Sequence, residues 1–502
     1  MNSTTILFLI LYFLIVSGVG IWAMRGGAGQ NLEGFLLGGR RVGPLITALT
    51  LQSTSMSGYM FLGAGALGFG EGYWALWYAA GDIGGGVLNL SIIGRRMRKF
   101  SELMGALTSI EYLEKRYPSP AIRLIGAALT IFLLGAYVLA QFIAGGKGMA
   151  LVTGMPYAAA LFIAVSIIML YTLLGGYLAV AYTDFFQSVI MLIGMVWIAT
   201  AALAEVGGLT AANQAIGALD PTLLSVWGRD LAFEGRWGIA IGAVMVFSIG
   251  CMGWPHLVTR HMAMARPITA RRAGGYATLF NLFFVSTPYL VGILAIIILP
   301  KLGDPELVIF KVAEKLLPPA ITGLVMAAIM AAIMSTADSL LLQTGSVASR
   351  DIYQRFVNRH ASEQQMVWVS RGLVLAIGMV GYLIALLEPP TVFAIVVFTT
   401  SVLGSAFLPA YVCAVWWRKA NTPGAITSMV SGASIATAWE LAALWDPTGL
   451  HPMLAGIVGS TAAMIIVSLA TQRIAPVPDY IVATMDAAAR LEPSSATGTS
   501  TA

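Results

Sequence analysis

Charge is the scarcest ingredient of this 502-residue sequence: Asp, Glu, Lys and Arg together make up 10% of it, against about a quarter in soluble domains. A chain that is 58% hydrophobic with so few charges cannot form a soluble globule. Cysteine is nearly missing, and Cys251 and Cys413 each sit in an apolar stretch. That excludes a disulfide scaffold and a Cys-rich metal site and leaves both as buried thiols. The four histidines, His256, His261, His360 and His451, show no metal-ligand spacing beyond one pair five apart, and no HExxH or GxSxG element occurs. With no nucleophile beside a base, an intramembrane enzyme is disfavoured. GAGALG at 63 to 68 mimics a dinucleotide fingerprint but lies in an apolar run without a strand before it. The net charge of +5 is small, and the basic residues fall in short clusters, so nucleic acid is not expected as a partner. No protein partner is evident either; the lipid bilayer is the expected surrounding. No Pro/Gly/Ser-rich linker divides the chain.

What the sequence does have is length in apolar runs. About 20 such residues cross a hydrocarbon core of about 30 Å, and thirteen runs qualify: about 5–24, 45–69, 72–94, 122–146, 156–178, 184–206, 237–257, 275–299, 319–346, 366–387, 391–416, 423–445 and 452–471. The first lacks a basic leader and is too long for a signal-peptide core, so it is read as a span. With the N-terminus outside, all but Lys147, Arg229, Arg236, Lys301, Lys311 and Lys315 of the 28 Lys and Arg fall on the inner side, as the positive-inside rule requires. Arg260 counts there as an inner-loop residue, and the C-terminus is cytoplasmic. The expected organisation is one membrane domain over 1–475 and a cytoplasmic tail over 476–502, whose low-complexity end, Ser494 to Ala502, is expected to be disordered.

Two spans carry breaks. In the second, Gln52-Ser-Thr-Ser-Met-Ser-Gly58 is a run of poor helix formers whose side chains compete for backbone hydrogen bonds. In the seventh, Gly250-Cys-Met-Gly-Trp-Pro255 loosens the helix and removes an amide donor. Unwound backbone at that depth must line a cavity or be buried in protein. Five spans separate the breaks, which points to inverted five-helix repeats, about 45–206 and 237–416, and so to a transporter.

Span nine supplies the third clue. Ala327, Ala328, Ala331 and Ala332 allow close helix approach, and Ser335, Asp338 and Ser339, at i, i+3 and i+4, put hydroxyls and a carboxylate on one intramembrane face beside Thr336. Hydroxyls joined by carbonyls freed at the second-span break form the all-oxygen cage a hard cation prefers. Asp82, among Gly81, Gly84, Gly85 and Gly86 in mid-span three, is either a hydrogen-bond acceptor for an amine or hydroxyl of a solute or a protonated or structurally bonded carboxyl.

At these residues the sequence resembles the sodium/solute symporter family, and most of all its bacterial sodium/proline and sodium/pantothenate members. The blocks are FLLGGRRVGP at 35–44, SMSG at 55–58, YTLLGGYLAVAYTDFFQ at 171–187, GWPH at 253–256 and MAAIMSTADSLLL at 330–342, within a match from about Phe35 to Leu469. The resemblance implies an all-α polytopic membrane protein of about thirteen transmembrane helices, with inverted five-helix repeats of the LeuT type and two discontinuous helices. It implies a symporter, not an enzyme, that imports a small organic solute by alternating access, with sodium as the co-transported ion, in a bacterial-type inner membrane. Carried over by position, sodium would be held by carbonyls of Ser53, Met56 and Ala332 and hydroxyls of Ser335 and Thr336. Asp184 matches a carboxylate associated with sodium passage, so Asp184, Asp338 and Ser339 would form a second sodium site or a release path. Asp184 also reads as a helix N-terminal carboxylate.

Solute contacts are expected from Ser57, Gly58, Tyr59, Asp82, Tyr137, Gln141, Phe247, Cys251 and Trp254. The sodium/proline members resemble this chain at Tyr137 and Pro255 but carry Trp and Tyr where Phe247 and Cys251 stand. Gln141-Phe142-Ile143 looks more like the pantothenate members. The solute therefore stays open between an amino acid such as proline and a carboxylate such as pantothenate or a monocarboxylate. Proton coupling through Asp82 or Asp338, and a sensor that binds solute without moving it, stand as the alternatives.

Overall fold

Burying or bonding every backbone polar group is compulsory in lipid, and helices do so within one segment. The computed structural model describes residues 3–25, 31–387 and 392–490; among them the chain is helical apart from turns and one isolated bridge between Val42 and Met264. Helix α1, Ser3–Arg25, is the first span. The second is split into α2, Pro44–Ser55, and α3, Gly65–Glu71, with a wider helical turn over Met60–Ala64. Helices α4, Leu76–Asn89, and α5, Pro120–Thr153, form the third and fourth spans. Helix α6, Tyr157–Glu205, holds the fifth and sixth, divided at Gly176 with φ 59 and ψ −165, a backbone state open to glycine and costly for other residues.

The seventh span is split into α7, Trp237–Phe247, and α8, Pro255–Ala263, around a tight turn at Gly250–Gly253. The eighth contains α9, Thr269–Phe284, and α10, Ser286–Ile298, meeting just before Pro288, which cannot donate to the preceding turn. Helices α11, Pro319–Val347, α12, Glu363–Ala385, α13, Val392–Trp416, α14, Thr422–Leu441, and α15, Pro452–Ala470, complete the membrane domain.

Every expected span coincides with helix. Among the described residues, 8 helices are long and apolar enough to cross a membrane unaided. The second and seventh fall short because they are broken. The third is short, with 14 residues in α4, and the fifth shares the single helix α6 with the sixth. The twelfth, α14, is amply long but less apolar, with Thr and Ser along it. Helix α11 is the central post: its main packing partners are α1, α5 and α6, with α2 and α12 beside them, and from Val325 to Val347 every residue is buried. The broken helix α2 lies against α6, α9 and α11. Gly81 and Gly85 let α4 press on the carbonyls of Val244 and Phe247, where a Cβ would overlap. That contact brings Asp82 to the seventh-span break.

Two readings are corrected. Arg260 is no loop residue: α8 runs on to Ala263 and Arg260 is 3% exposed, because a guanidinium among the carbonyls and hydroxyls freed by the second-span break finds enough acceptors to leave water. Asp184 is no N-terminal carboxylate, since it lies about two turns beyond Gly176. The tail carries a helix the composition did not announce, α16, Asp479–Ala489, which seats Ile481, Met485 and Ala488 against the Arg95–Leu103 helix and is tied by Asp486 to Arg418 at 2.6 Å. Ser494 to Ala502 lie outside the described residues.

Candidate functional site

Helix α2 stops at Ser55 because Met56 leaves helical geometry at φ −89, ψ 70. The carbonyls of Ser53 and Thr54 then lack helical donors, and α11 supplies substitutes. Ser335 Oγ donates to Ser53 O at 3.1 Å and to Ala332 O at 3.2 Å. Thr336 Oγ1 donates to Thr54 O at 3.0 Å and approaches Ser53 O at 3.5 Å. Ser53, Ala332, Ser335 and Thr336 thus meet in one all-oxygen cluster, each of them fully buried, with Met56 at the end of the same break. Thr54, which sequence reasoning placed only among helix breakers, contributes a carbonyl to it.

One turn toward the face where the arginines gather lies a second cluster. Asp184 Oδ2 accepts from Thr50 Oγ1 at 2.5 Å and Thr54 Oγ1 at 3.3 Å. Arg260 Nη2 reaches Asp184 Oδ2 at 3.4 Å, Thr54 Oγ1 at 2.5 Å and Ser339 Oγ at 2.6 Å, while its Nη1 donates to His256 O at 2.6 Å. Asp184 and Ser339 are therefore brought together, but through Arg260, Thr50 and Thr54. Asp338 is buried on the same helix and takes no part in those bonds. No local pattern flagged Arg260; an arginine four residues beyond GWPH looked like a topology signal. Beyond it a small cavity of about 10 Å³ runs past Ser339 and Gln343 to Thr108, whose hydroxyl bonds Asp351 at 2.7 Å.

The solute candidates divide into two groups joined at the break. Tyr137 Oη donates to Ser57 Oγ at 3.0 Å, Gln141 Oε1 accepts from Gly58 N at 2.9 Å, and Gln141 Nε2 reaches Ser57 Oγ at 3.4 Å. These four satisfy one another and brace the unwound turn. The other group lies around a small cavity of about 10 Å³ lined by Gln52, Asp82, Phe247, Cys251 and Trp254 among others, room for roughly one water. Tyr59 lies stacked on Phe247 with ring centroids 4.7 Å apart. Asp82 Oδ2 accepts from Tyr59 Oη at 2.6 Å and Tyr289 Oη at 3.2 Å, and Oδ1 accepts no bond from the described residues. Cys251 is fixed by Asn89, which donates to its carbonyl at 3.1 Å and is itself bonded to His261 at 2.6 Å. Trp254 Nε1 donates to Thr400 O at 3.1 Å. Gln52 bonds Asn281, whose Nδ2 caps the Asp82 and Ile83 carbonyls at 3.1 Å each. Asn89, Asn281 and Tyr289 were not foreseen; an amide within an apolar run was the available signal.

A sequence profile of the sodium:solute symporter family matches residues 35–432. The chain belongs to the sodium:solute symporter family. It is an integral membrane transporter and not an enzyme. The symporter is 31% identical over 480 residues to the osmoregulated proline transporter OpuE of Bacillus subtilis (strain 168), covering 94% of this chain and 96% of that one. It is 30% identical over 489 residues to a sodium/proline symporter of Staphylococcus aureus (strain bovine RF122 / ET3-1), covering 94% of each. A substrate-bound, outward-open sodium-coupled sialic acid symporter, reported with a novel sodium site, superposes with a TM-score of 0.76 at 17% identity over 93% of this chain and 98% of that one. The last likeness speaks to fold alone: the symporter has the inverted-repeat architecture with two discontinuous helices, α2–α3 and α7–α8.

Proposed function

We propose that this protein is a sodium-coupled symporter that imports a small amino acid, with proline the first candidate, by alternating access. The observation that carries the reading is the meeting of the Ser335 and Thr336 hydroxyls with the Ser53 and Thr54 carbonyls at the α2 break. Sodium is bound by lone pairs of the Ser335 and Thr336 hydroxyl oxygens, whose hydrogens turn away, and by the carbonyls of Ser53, Met56 and Ala332, pinning α2 to α11. Only a ligand that binds one state more tightly can drive the cycle, and the pinned break is where sodium does so.

The solute occupies an enlarged form of the cavity beside Asp82. Asp82 Oδ1 accepts from its amine while the two tyrosines keep Oδ2 in place; Tyr59, Phe247 and Trp254 pack its apolar part, Cys251 lines the wall, and Ser57, Gly58, Tyr137 and Gln141 hold the turn. Proline is favoured by the names of the two bacterial relatives. Phe247 and Cys251 set this pocket apart and admit other small amino or carboxylic acids. Asp184, Asp338 and Ser339 line the release path, and because Arg260 already serves the Asp184 charge, one sodium per cycle suffices. At 100 mV that charge contributes about 2.3 kcal/mol, roughly fifty-fold in solute concentration. The basic distribution and the bacterial relatives support a bacterial inner membrane, with the N-terminus outside and the tail in the cytoplasm.

The test is uptake into proteoliposomes of labelled proline, pantothenate and short monocarboxylates with an inward sodium gradient. Proline accumulation that vanishes when choline replaces sodium supports the reading. Accumulation driven by a pH gradient alone would hand it to proton coupling, and binding without uptake to a sensor.

A further inference from the structure

At the basic face, the end of the third span, the start of α9 and the end of α13 enclose a groove of about 430 Å³ lined by Arg95, Arg96, Arg271, Ser91, Thr278 and Trp416 together with apolar side chains. Its cations lack counter-ions: among the described residues no carboxylate lies within ion-pair range of Arg95, Arg96 or Arg271, and Asp486 on the docked tail helix is spoken for by Arg418 at 2.6 Å. Arg96 is held rigidly, donating to Val415 O at 3.0 Å with its guanidinium 3.6 Å from the Trp416 ring centre. Trp416 Nε1 in turn donates to Ile92 O at 2.9 Å. Partial burial, then the neighbouring Arg95 and Arg418 charges, press the Arg96 pKa below its ordinary value. An anion in the groove relieves that crowding.

From Arg271 and Gly275 the same face of α9 continues through Tyr276, Leu279, Leu282 and Phe283, which are 44%, 58%, 63% and 55% exposed. Spacings of three and four residues make them one stripe. We infer that the groove is a binding site for an anionic phospholipid of the adjoining leaflet, its phosphodiester between Arg96 and Arg271 and an acyl chain along the α9 stripe. A free phosphate would satisfy the arginines and leave the stripe bare. A lipid so placed bridges three elements, and the Arg96 and Trp416 bonds through which two of them already hold each other make it a clamp on their relative motion.

The experiment is native mass spectrometry of the whole chain in detergent with dioleoylphosphatidylglycerol or dioleoylphosphatidylcholine. The wild type retains phosphatidylglycerol preferentially; Arg271→Gln, at an exposed side chain without an ion-pair partner, weakens that retention about fivefold per charge removed, and Arg96→Gln with Arg271→Gln weakens it further. Arg359→Gln, elsewhere on the basic face, leaves it unchanged. Equal phosphatidylglycerol retention by wild type and Arg271→Gln overturns the site. Thermal protection by millimolar inorganic phosphate equal to that by phosphatidylglycerol overturns the lipid as its occupant.

Discussion

Ser335 Oγ lies 3.1 Å from the carbonyl oxygen of Ser53, across 282 residues of chain. Neither group would be exceptional alone: a serine hydroxyl in an apolar helix usually bonds the preceding turn, and a helix-end carbonyl usually finds water. Here burial excludes water and the break after Ser55 takes away the helical donor of Ser53 O, so the Ser335 hydroxyl, which also faces Ala332 O of its own preceding turn, supplies one.

Ser335→Ala and Thr336→Ala each remove one oxygen from this cluster. The expected result is a rise of roughly ten- to hundredfold in the sodium concentration for half-maximal uptake, with solute affinity at saturating sodium little changed. Sodium-titrated uptake in proteoliposomes measures it; unchanged sodium dependence in both variants would sink the assignment.

Arg260 and Asp184 are a buried pair, 3% and 0% exposed. Removing one partner strands the other charge, so Arg260→Gln or Asp184→Asn alone should destabilise the fold by about 3–5 kcal/mol. The double variant should recover much of that loss, because neither charge then remains. Thermal unfolding midpoints in detergent for the four proteins decide it, and a double variant as unstable as the sum of the singles would show that the two do not act as a pair.

Asp82→Asn keeps the size of the side chain and an acceptor for Tyr59 but loses the charge. Uptake kinetics should show the solute KM raised about tenfold or more, with the sodium dependence preserved. Should Asp82→Ala bind solute as the wild type does, the carboxyl is a structural partner of Tyr59 and Tyr289 and nothing more.

Glu111 joins the loop helix Ser109–Arg116 to the segment after α11, bonding Arg350 at 3.0 Å with Lys115 at 3.5 Å and Arg123 at 3.9 Å. Burial alone would raise its pKa; Arg350, Lys115 and Arg123 outweigh it and hold the carboxyl below its ordinary value. The unfolded chain therefore binds its proton first as pH falls. The stabilisation is complete above about pH 4.3 and is lost as pH drops through the folded value. Thermal midpoints measured from pH 7 down to pH 3 should fall at the acid end, and less steeply in Glu111→Gln.

The sequence by itself determined that the chain is a helical membrane protein, where its thirteen spans lie, and which two of them break. Those properties are local: apolar length sets a span, and Ser, Gly and Pro at the wrong depth interrupt one. It also exposed the Ser335 and Thr336 face, because i, i+3 and i+4 spacing is fixed by the helix. Only tertiary structure decided what those faces meet. Arg260 resembled a surface anchor until α8 carried it beneath Asp184, Thr54 and Ser339. Ser57, Tyr137 and Gln141 spend their polar groups on one another, while Asp82 keeps one oxygen beside a cavity, with Asn281 and Tyr289 brought to it from nearly 200 residues on or more. Such partnerships follow from which helices touch, and a desolvated charge or amide selects its partners by three-dimensional proximity that chain spacing does not encode.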